Sequence, residues 1–279
     1  MMRLKDKVIS TSKAIAGKQG GGSVGGVLKV FYLVIIIIFL YLPIATLMVL
    51  SFNESKSMSV WTGFSLKWYE EMFGNEMIME ALWNTFTIAL CAALAATIIG
   101  TAACIGMQAM RNKTQNVIMG FNNIPLLNAD IVTGISLLLA FLAFGVTLSW
   151  GTVLLAHITF CIPYVILSVR PKLSQMEHTT YEAALDLGAT PIYAFFRVVL
   201  PDIKSGIISG FLLSFTMSVD DFVVTHFTRG AGINTLSTLI YSQVKVGIRP
   251  TLFALSTVIF VVVLVVLVIS NIISTRDKR

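Results

Sequence analysis

Residues 30–52, VFYLVIIIIFLYLPIATLMVLSF, run for 23 positions without a charged side chain. A helix crossing the hydrocarbon core of a bilayer needs about 20 mostly apolar residues, so this stretch predicts a membrane span. Working outward along the chain, similar runs recur at 84–108, 117–144, 152–169, 203–225 and 251–274. Hydrophobic residues make up 56% of the 279 residues and charged ones only 12%, with a mean hydropathy of +0.84, which excludes an ordinary soluble domain. The reading is an all-α polytopic membrane bundle of six transmembrane helices.

Basic residues set the orientation, because short loops rich in Lys and Arg stay in the cytoplasm. Fifteen of the 20 Lys and Arg fall in the tail (Arg3 to Lys29), the 109–116 loop, the 170–202 loop with Lys204 just beyond it, and the C-terminus; Lys56, Lys67, Arg229, Lys245 and Arg249 lie opposite. Both termini are therefore predicted inside. The net charge of +6 follows from this asymmetry and gives no reason to expect nucleic acid. No short apolar core with a small-residue cleavage site precedes residue 30, so the first span is expected to stay as an anchor.

Three regions follow: a basic, glycine-rich cytoplasmic tail over 1–29, a six-helix transmembrane domain over 30–275 with a long cytoplasmic loop at 170–202, and a short tail at 276–279. In the first outer loop Trp61, Phe64, Trp68, Tyr69 and Phe73 predict a helix lying in the interface, where aromatic rings favour the headgroup depth. In the last outer loop Leu236, Ile240, Tyr241, Val244 and Ile248 predict an amphipathic helix facing outward. The second span is rich in Ala and Gly, which allow close approach of helix backbones in lipid. Pro43, Pro125 and Pro163 each fall inside a span and are expected to kink it. Cys91, Cys104 and Cys161 lie in spans, without metal-ligand spacing, and are read as packing residues.

The inside loop 170–202 is longer than a connection between neighbouring spans requires, and loops of that length are usually functional. Glu182 to Leu187 reads as a short helix, Gly188 as a turn, and Pro191 as the opening of a second helix. Tyr193, Phe195, Phe196 and Val199 then supply apolar surface, and Leu200 with Pro201 is expected to end the unit before the fifth span.

At these residues a resemblance becomes specific. Glu182-Ala183-Ala184, Gly188 four residues after Ala184, and Val198-Val199-Leu200-Pro201 resemble the signature loop of ABC importer permeases, which usually has Ile where this chain has Val198. The resemblance covers nearly all of the chain after the tail, including Gly63-Phe64-Ser65 and Trp68-Tyr69. It is nearest to the polyamine branch through Asp130-Ile131-Val132, His157 to Pro163, Ser214 to Asp221, and Tyr241-Ser242 with Lys245-Val246-Gly247. It implies a type I ABC importer permease fold in a bacterial cytoplasmic membrane, with Glu182, Ala183, Ala184, Gly188, Pro191, Leu200 and Pro201 coupling the chain to ATPases. It also implies a heterodimer with a second permease, two ATPase subunits holding ATP and Mg, an extracytoplasmic solute-binding protein, and uptake of spermidine or putrescine by alternating access. The chain itself has no Gly-x4-Gly-Lys-Ser/Thr phosphate loop and no constellation for covalent chemistry, so no cofactor is expected in it.

Asp130, Asp220 and Asp221 lie in or at the ends of spans, where a carboxylate is costly and points to an aqueous path or a bound partner. Read in helical register, Asn123, Thr133 and Gly134 share a face with Asp130, while Ser214, Ser218, Asp221 and Thr225 form a second stripe. Two readings stand. The stripes line a path for a cationic amine, or the acids are structural, with Asp130 bonded near Pro125 and Asp220 or Asp221 paired with Arg229. His157 is expected to bond to a neighbouring helix, with a proton relay as the alternative. An importer of another small solute, a secondary cation- or proton-coupled transporter, and a membrane scaffold remain as other functions.

Overall fold

The computed structural model describes residues 24–56, 60–176 and 178–276. Most of the expected basic tail, residues 1–23, and nearly all of the C-terminal tail, residues 277–279, lie outside the described residues. The described chain divides into two compact units, one running up to Met72 and from Arg249 onward, the other spanning Phe73–Ile248.

In the first unit, helix α1 (Val24–Ser51) covers the stretch that opened the reading and begins six residues earlier, so 24–29 of the expected tail are helical. Its side chains from Val30 to Leu42 stay almost entirely exposed, as suits a helix whose solvent is lipid. Beyond it the chain folds back on itself. Phe52 stacks on Phe64 with ring centroids 5.2 Å apart, and Glu54 N–H donates to the Gly63 carbonyl at 3.0 Å. The Trp68 indole, on the expected short helix α2 (Lys67–Phe73), donates to the Asn53 carbonyl at 2.6 Å. A last helix packs against α1 and occupies the sixth expected span; its early residues Leu252 to Leu255 are buried.

In the second unit the core is three mutually packed helices, α3 (Glu76–Gln108), α6 (Trp150–Gln175) and α9 (Leu200–Asp220). Helix α3 presents Ala89, Ala92, Ala93 and Ala96, all fully buried, so its backbone lies close to its neighbours, as the small residues predict. Asn75 caps it, its carboxamide oxygen accepting from Met77 and Ile78 N–H. Against it stand Val165, Val169 and Leu173 of α6 and Ile203 of α9. Cys104 and Cys161 belong to this core, whereas Cys91 is exposed.

The third expected span is two helices rather than one. α4 (Asn112–Leu127) and α5 (Asp130–Ala143) meet at 107° across Asn128 and Ala129, whose extended backbones break the hydrogen-bond ladder. Pro125 lies in the last turn before this break, three residues ahead of Asn128. Among the described residues four helices, α1, α3, α6 and the continuous Pro191–Asp220 segment, are each long and apolar enough to cross a bilayer, or five if the bent pair counts as one broken span.

The fifth expected span also ends early. α9 stops at Asp220, Asp221 is extended, and a separate short helix α10 (Val223–Thr228) packs on α5. The amphipathic helix of the last outer loop forms as α11 (Leu236–Val246), joined to α3 where Leu236 N–H donates to Thr85 Oγ1 at 2.8 Å. The terminal helix, α12 (Pro250–Arg276), completes the chain.

Candidate functional site

The 176–199 loop carries the first candidate site. Helix α7 (His178–Asp186) ends in a Schellman turn: Ala189 N–H donates to the Ala184 carbonyl at 3.0 Å and Gly188 N–H to the Leu185 carbonyl at 2.9 Å. Gly188 sits at φ +86°, a region L side chains rarely adopt, which is the physical content of the expected turn. Thr190 then caps α8 (Pro191–Ala194), accepting from Tyr193 N–H, and Pro191 takes the first helical position, where its missing N–H is harmless.

From α8 the chain passes through one wide π turn, Phe195–Val199, directly into α9. Leu200 N–H reaches back five residues to the Phe195 carbonyl. Leu200-Pro201 therefore does not stop the unit, as the sequence suggested; it opens a rod. Pro201 has no N–H to close an ordinary turn, and the wider turn before it absorbs that loss.

Ala194 and Val199 face inward and are buried, whereas Leu187 is 90% exposed and Ile192, Tyr193 and Phe196 are exposed beside it. Ala184, Leu187, Gly188, Ala189, Thr190 and Tyr193 line a shallow groove. Glu182 and Ala183 are exposed on the preceding helix, and the Arg197 guanidinium lies over the Tyr193 ring at 5.9 Å. Together these side chains leave an apolar patch exposed on a charged loop.

The second site is a cleft of about 180 Å³ lined by Asp130, Thr133, Asp220 and Asp221 together with Pro125, Phe160, Tyr164, Met217 and Phe222. Three carboxylates from two helix breaks thus converge. Asp130 opens α5, and Asp220 closes α9; both are exposed, and neither forms a hydrogen bond or ion pair with a described residue. The suggested pairing of an aspartate with Arg229 does not occur; Arg229 donates to the Ile233 carbonyl and the Asn234 side chain.

The expected unbroken polar stripes are corrected here. Asn123 and Asp130 belong to helices bent against each other, so they share no face. Ser214, Ser218 and Thr225 are buried between helices and do not line the cleft. Ser214 Oγ donates to the Cys161 carbonyl at 3.3 Å, a contact that clamps α9 to α6. Ser218 and Thr225 both bond to the ring of His157, at 2.6 and 2.9 Å, so the interhelical hydrogen bond is the reading the structure has. Thr225 and Val224 N–H also donate to the Asp221 carboxylate.

Tyr164 and Phe222 are cleft residues the sequence reading passed over. Phe160 and Tyr164 stand one turn apart on the face that carries His157, a spacing that was legible; Phe222 was hidden by the assumption of a continuous helix. Outside the cleft Phe222 stacks on Tyr241 of α11 at 4.5 Å between centroids and on His226 at 5.4 Å.

The family described as "Binding-protein-dependent transport system inner membrane component" matches residues 15–276. The chain is 42% identical over 228 residues to the putrescine transport system permease protein PotI of Escherichia coli, covering 79% of this chain and 81% of that one. It is 36% identical over 248 residues to the spermidine/putrescine transport system permease protein PotC of Haemophilus influenzae, covering 89% and 96%. Among solved structures it resembles a bacterial ABC transporter involved in import of the acidic polysaccharide alginate, with TM-score 0.72 at 13% identity, over 90% of this chain and 96% of that one. The inward-facing MetNI methionine ABC transporter gives TM-score 0.57 at 15% identity, over 74% and 99%.

Proposed function

The chain belongs to the family of binding-protein-dependent transport system inner membrane components, and from that premise we propose that it conducts polyamines as the permease subunit of an ATP-driven importer. The observation that carries the substrate is the cleft in which Asp130 and Asp220 present unpaired carboxylates beside Phe160, Tyr164 and Phe222. Putrescine and spermidine are flexible chains of methylenes bearing ammonium groups. Carboxylates match the ammonium charge, aromatic faces attract cations and cover methylenes, and the relatives named above are polyamine permeases.

Energy arrives at the opposite end. ATP, with Mg, is hydrolysed on two separate ATPase subunits that dock on the loop around Glu182, Ala183, Ala184, Gly188 and Pro191, meeting the exposed Leu187, Ile192, Tyr193 and Phe196. Leu200 and Pro201 join that loop to α9, a rod of 21 residues and about 31 Å, whose far end is Asp220 at the cleft. Closing the ATPases moves the rod, and alternating access follows from that movement against the other helices. A second permease completes the pathway, an extracytoplasmic binding protein delivers the substrate, and both termini lie inside a bacterial cytoplasmic membrane.

The test uses the complex of both permeases and the ATPases in proteoliposomes. Putrescine or spermidine on the binding protein should stimulate ATP hydrolysis, and sulfate should not. Asp130→Asn and Asp220→Asn should each lower putrescine uptake at subsaturating concentration by more than about tenfold, the effect of losing about 1.4 kcal/mol of interaction. Undiminished uptake in both variants would remove the acids from the pathway. Uptake that survives ATP depletion but collapses with an uncoupler would replace the ATP-driven reading with a secondary transporter.

A further inference from the structure

His157 is 1% exposed on α6, and its ring touches both sides of the break between α9 and α10. Its partners form a continuous chain. Asp221 Oδ2, an ionised carboxylate oxygen, only accepts, and the single Thr225 hydroxyl proton is donated to it at 2.8 Å. Toward the imidazole, 2.9 Å away, the Thr225 oxygen is therefore an acceptor, and Nε2 carries the hydrogen. Nδ1 lies 2.6 Å from Ser218 Oγ, and Nε2 is also 3.5 Å from Asp221 Oδ2. The chain Ser218, His157, Thr225, Asp221 thus engages both ring nitrogens and spans the joint.

The four residues come from three helices. Ser218 lies two positions before the end of α9, Thr225 is the third residue of α10, and Asp221, in extended backbone, forms the joint between them with Phe222. Asp221 is fully engaged: Oδ1 accepts from Val224 N–H at 3.2 Å, and Oδ2 accepts from Thr225 N–H at 2.8 Å as well as from its hydroxyl. It lines the cleft, yet both its oxygens already hold the start of α10. Asp220, one residue earlier, has no such partner.

We propose that His157 is a positioning residue for substrate recognition: by fastening Ser218 to Thr225 across the joint, it aims Asp220 and Phe222 into the cleft and keeps Asp221 as a cap. The acids thereby divide their work. Asp130 and Asp220 meet the ammonium groups of the substrate, while Asp221 and His157 hold the wall from which Asp220 projects. The substrate class rests on the polyamine reading, whereas the positioning role does not.

The experiment separates the two. In the detergent-purified complex carrying Cys91→Ser, Asp220→Cys is modified with a small ammonium-bearing methanethiosulfonate; Cys104 and Cys161 are buried, and the parent without the new cysteine supplies the background. Adding Thr225→Val, which keeps the volume and removes the hydroxyl, should change the modification rate by more than fivefold, as should adding His157→Phe, and His157→Gln should restore part of it. On an otherwise unchanged Asp220, the same substitutions should raise the putrescine concentration for half-maximal uptake while maximal uptake stays within about twofold. They should also be non-additive in pairs, because each cuts one chain. An unchanged modification rate in both Thr225→Val and His157→Phe overturns the positioning role, whatever is transported. Altered rates in a complex whose wild type takes up no putrescine uphold that role and overturn the polyamine reading instead.

Discussion

At the scale of single residues, Gly188 is constrained by its backbone conformation. Its φ of +86° admits a β-branched side chain only at a cost of about 1–2 kcal/mol, and the Schellman turn it closes orients α7 against α8. No side chain crowds the position, so the penalty is conformational rather than steric. Gly188→Val is expected to leave the helical core and the amount of membrane-inserted protein near wild type, while copurification of the ATPase subunits drops several-fold and uptake falls with it; wild-type uptake would contradict the docking role of the loop. This glycine was legible in the sequence because a turn between two short helices demands it. The roles of Asp220 and Asp221 were not legible, because two adjacent identical residues differ here only in their partners. Asp221 bonds to N–H groups three and four residues on, a capping pattern visible only once the helix is known to break there.

At the scale of elements, apolar length was a dependable guide and helical register was not. The runs at 30–52, 84–108 and 152–169 each became one helix, whose ladder continues beyond the apolar window at one or both ends. The stripes failed where the chain bends, since a face computed at 100° per residue has meaning only on an unbroken helix. Neither break carries a glycine or a proline at the joint: Asn128 and Ala129 take extended backbones, and the Asp221 carboxylate caps the helix that follows it. The contact of α6 with α9 is more sequence-determined. A Cβ on Gly206 would stand 2.9 Å from Lys172 Cγ and 3.0 Å from the Ser168 carbonyl oxygen, closer than carbon tolerates. Gly206→Val is therefore expected to destabilise the core by about 1–3 kcal/mol, seen as a lower midpoint of thermal unfolding in detergent. An unchanged midpoint would mean that α9 approaches α6 less closely.

At the scale of the whole molecule, the distribution of Lys and Arg makes the strongest commitment. The orientation proposed from it has the loop around Gly188 and both termini on the cytoplasmic side and the helix Leu236–Val246 outside. Reporter fusions test it: alkaline phosphatase joined after Val246 should be active and after the C-terminus inactive, and the reverse pattern would invert the assignment. Both candidate sites then lie at opposite ends of α9, one cytoplasmic and one toward the outside, which suits a protein that accepts energy on one face and cargo on the other. The π turn at Phe195–Val199 bears on how those ends communicate. A turn spanning five residues where four would ordinarily do winds the chain less per residue, so everything ahead of it is set at an azimuth an unbroken α-helix would not give. Which way Tyr193 and Phe196 point around the rod is thus a matter of angular phase. A single residue gained or lost in that turn would swing the docking patch around the axis like a key cut for another lock, with every contact of α9 itself left in place.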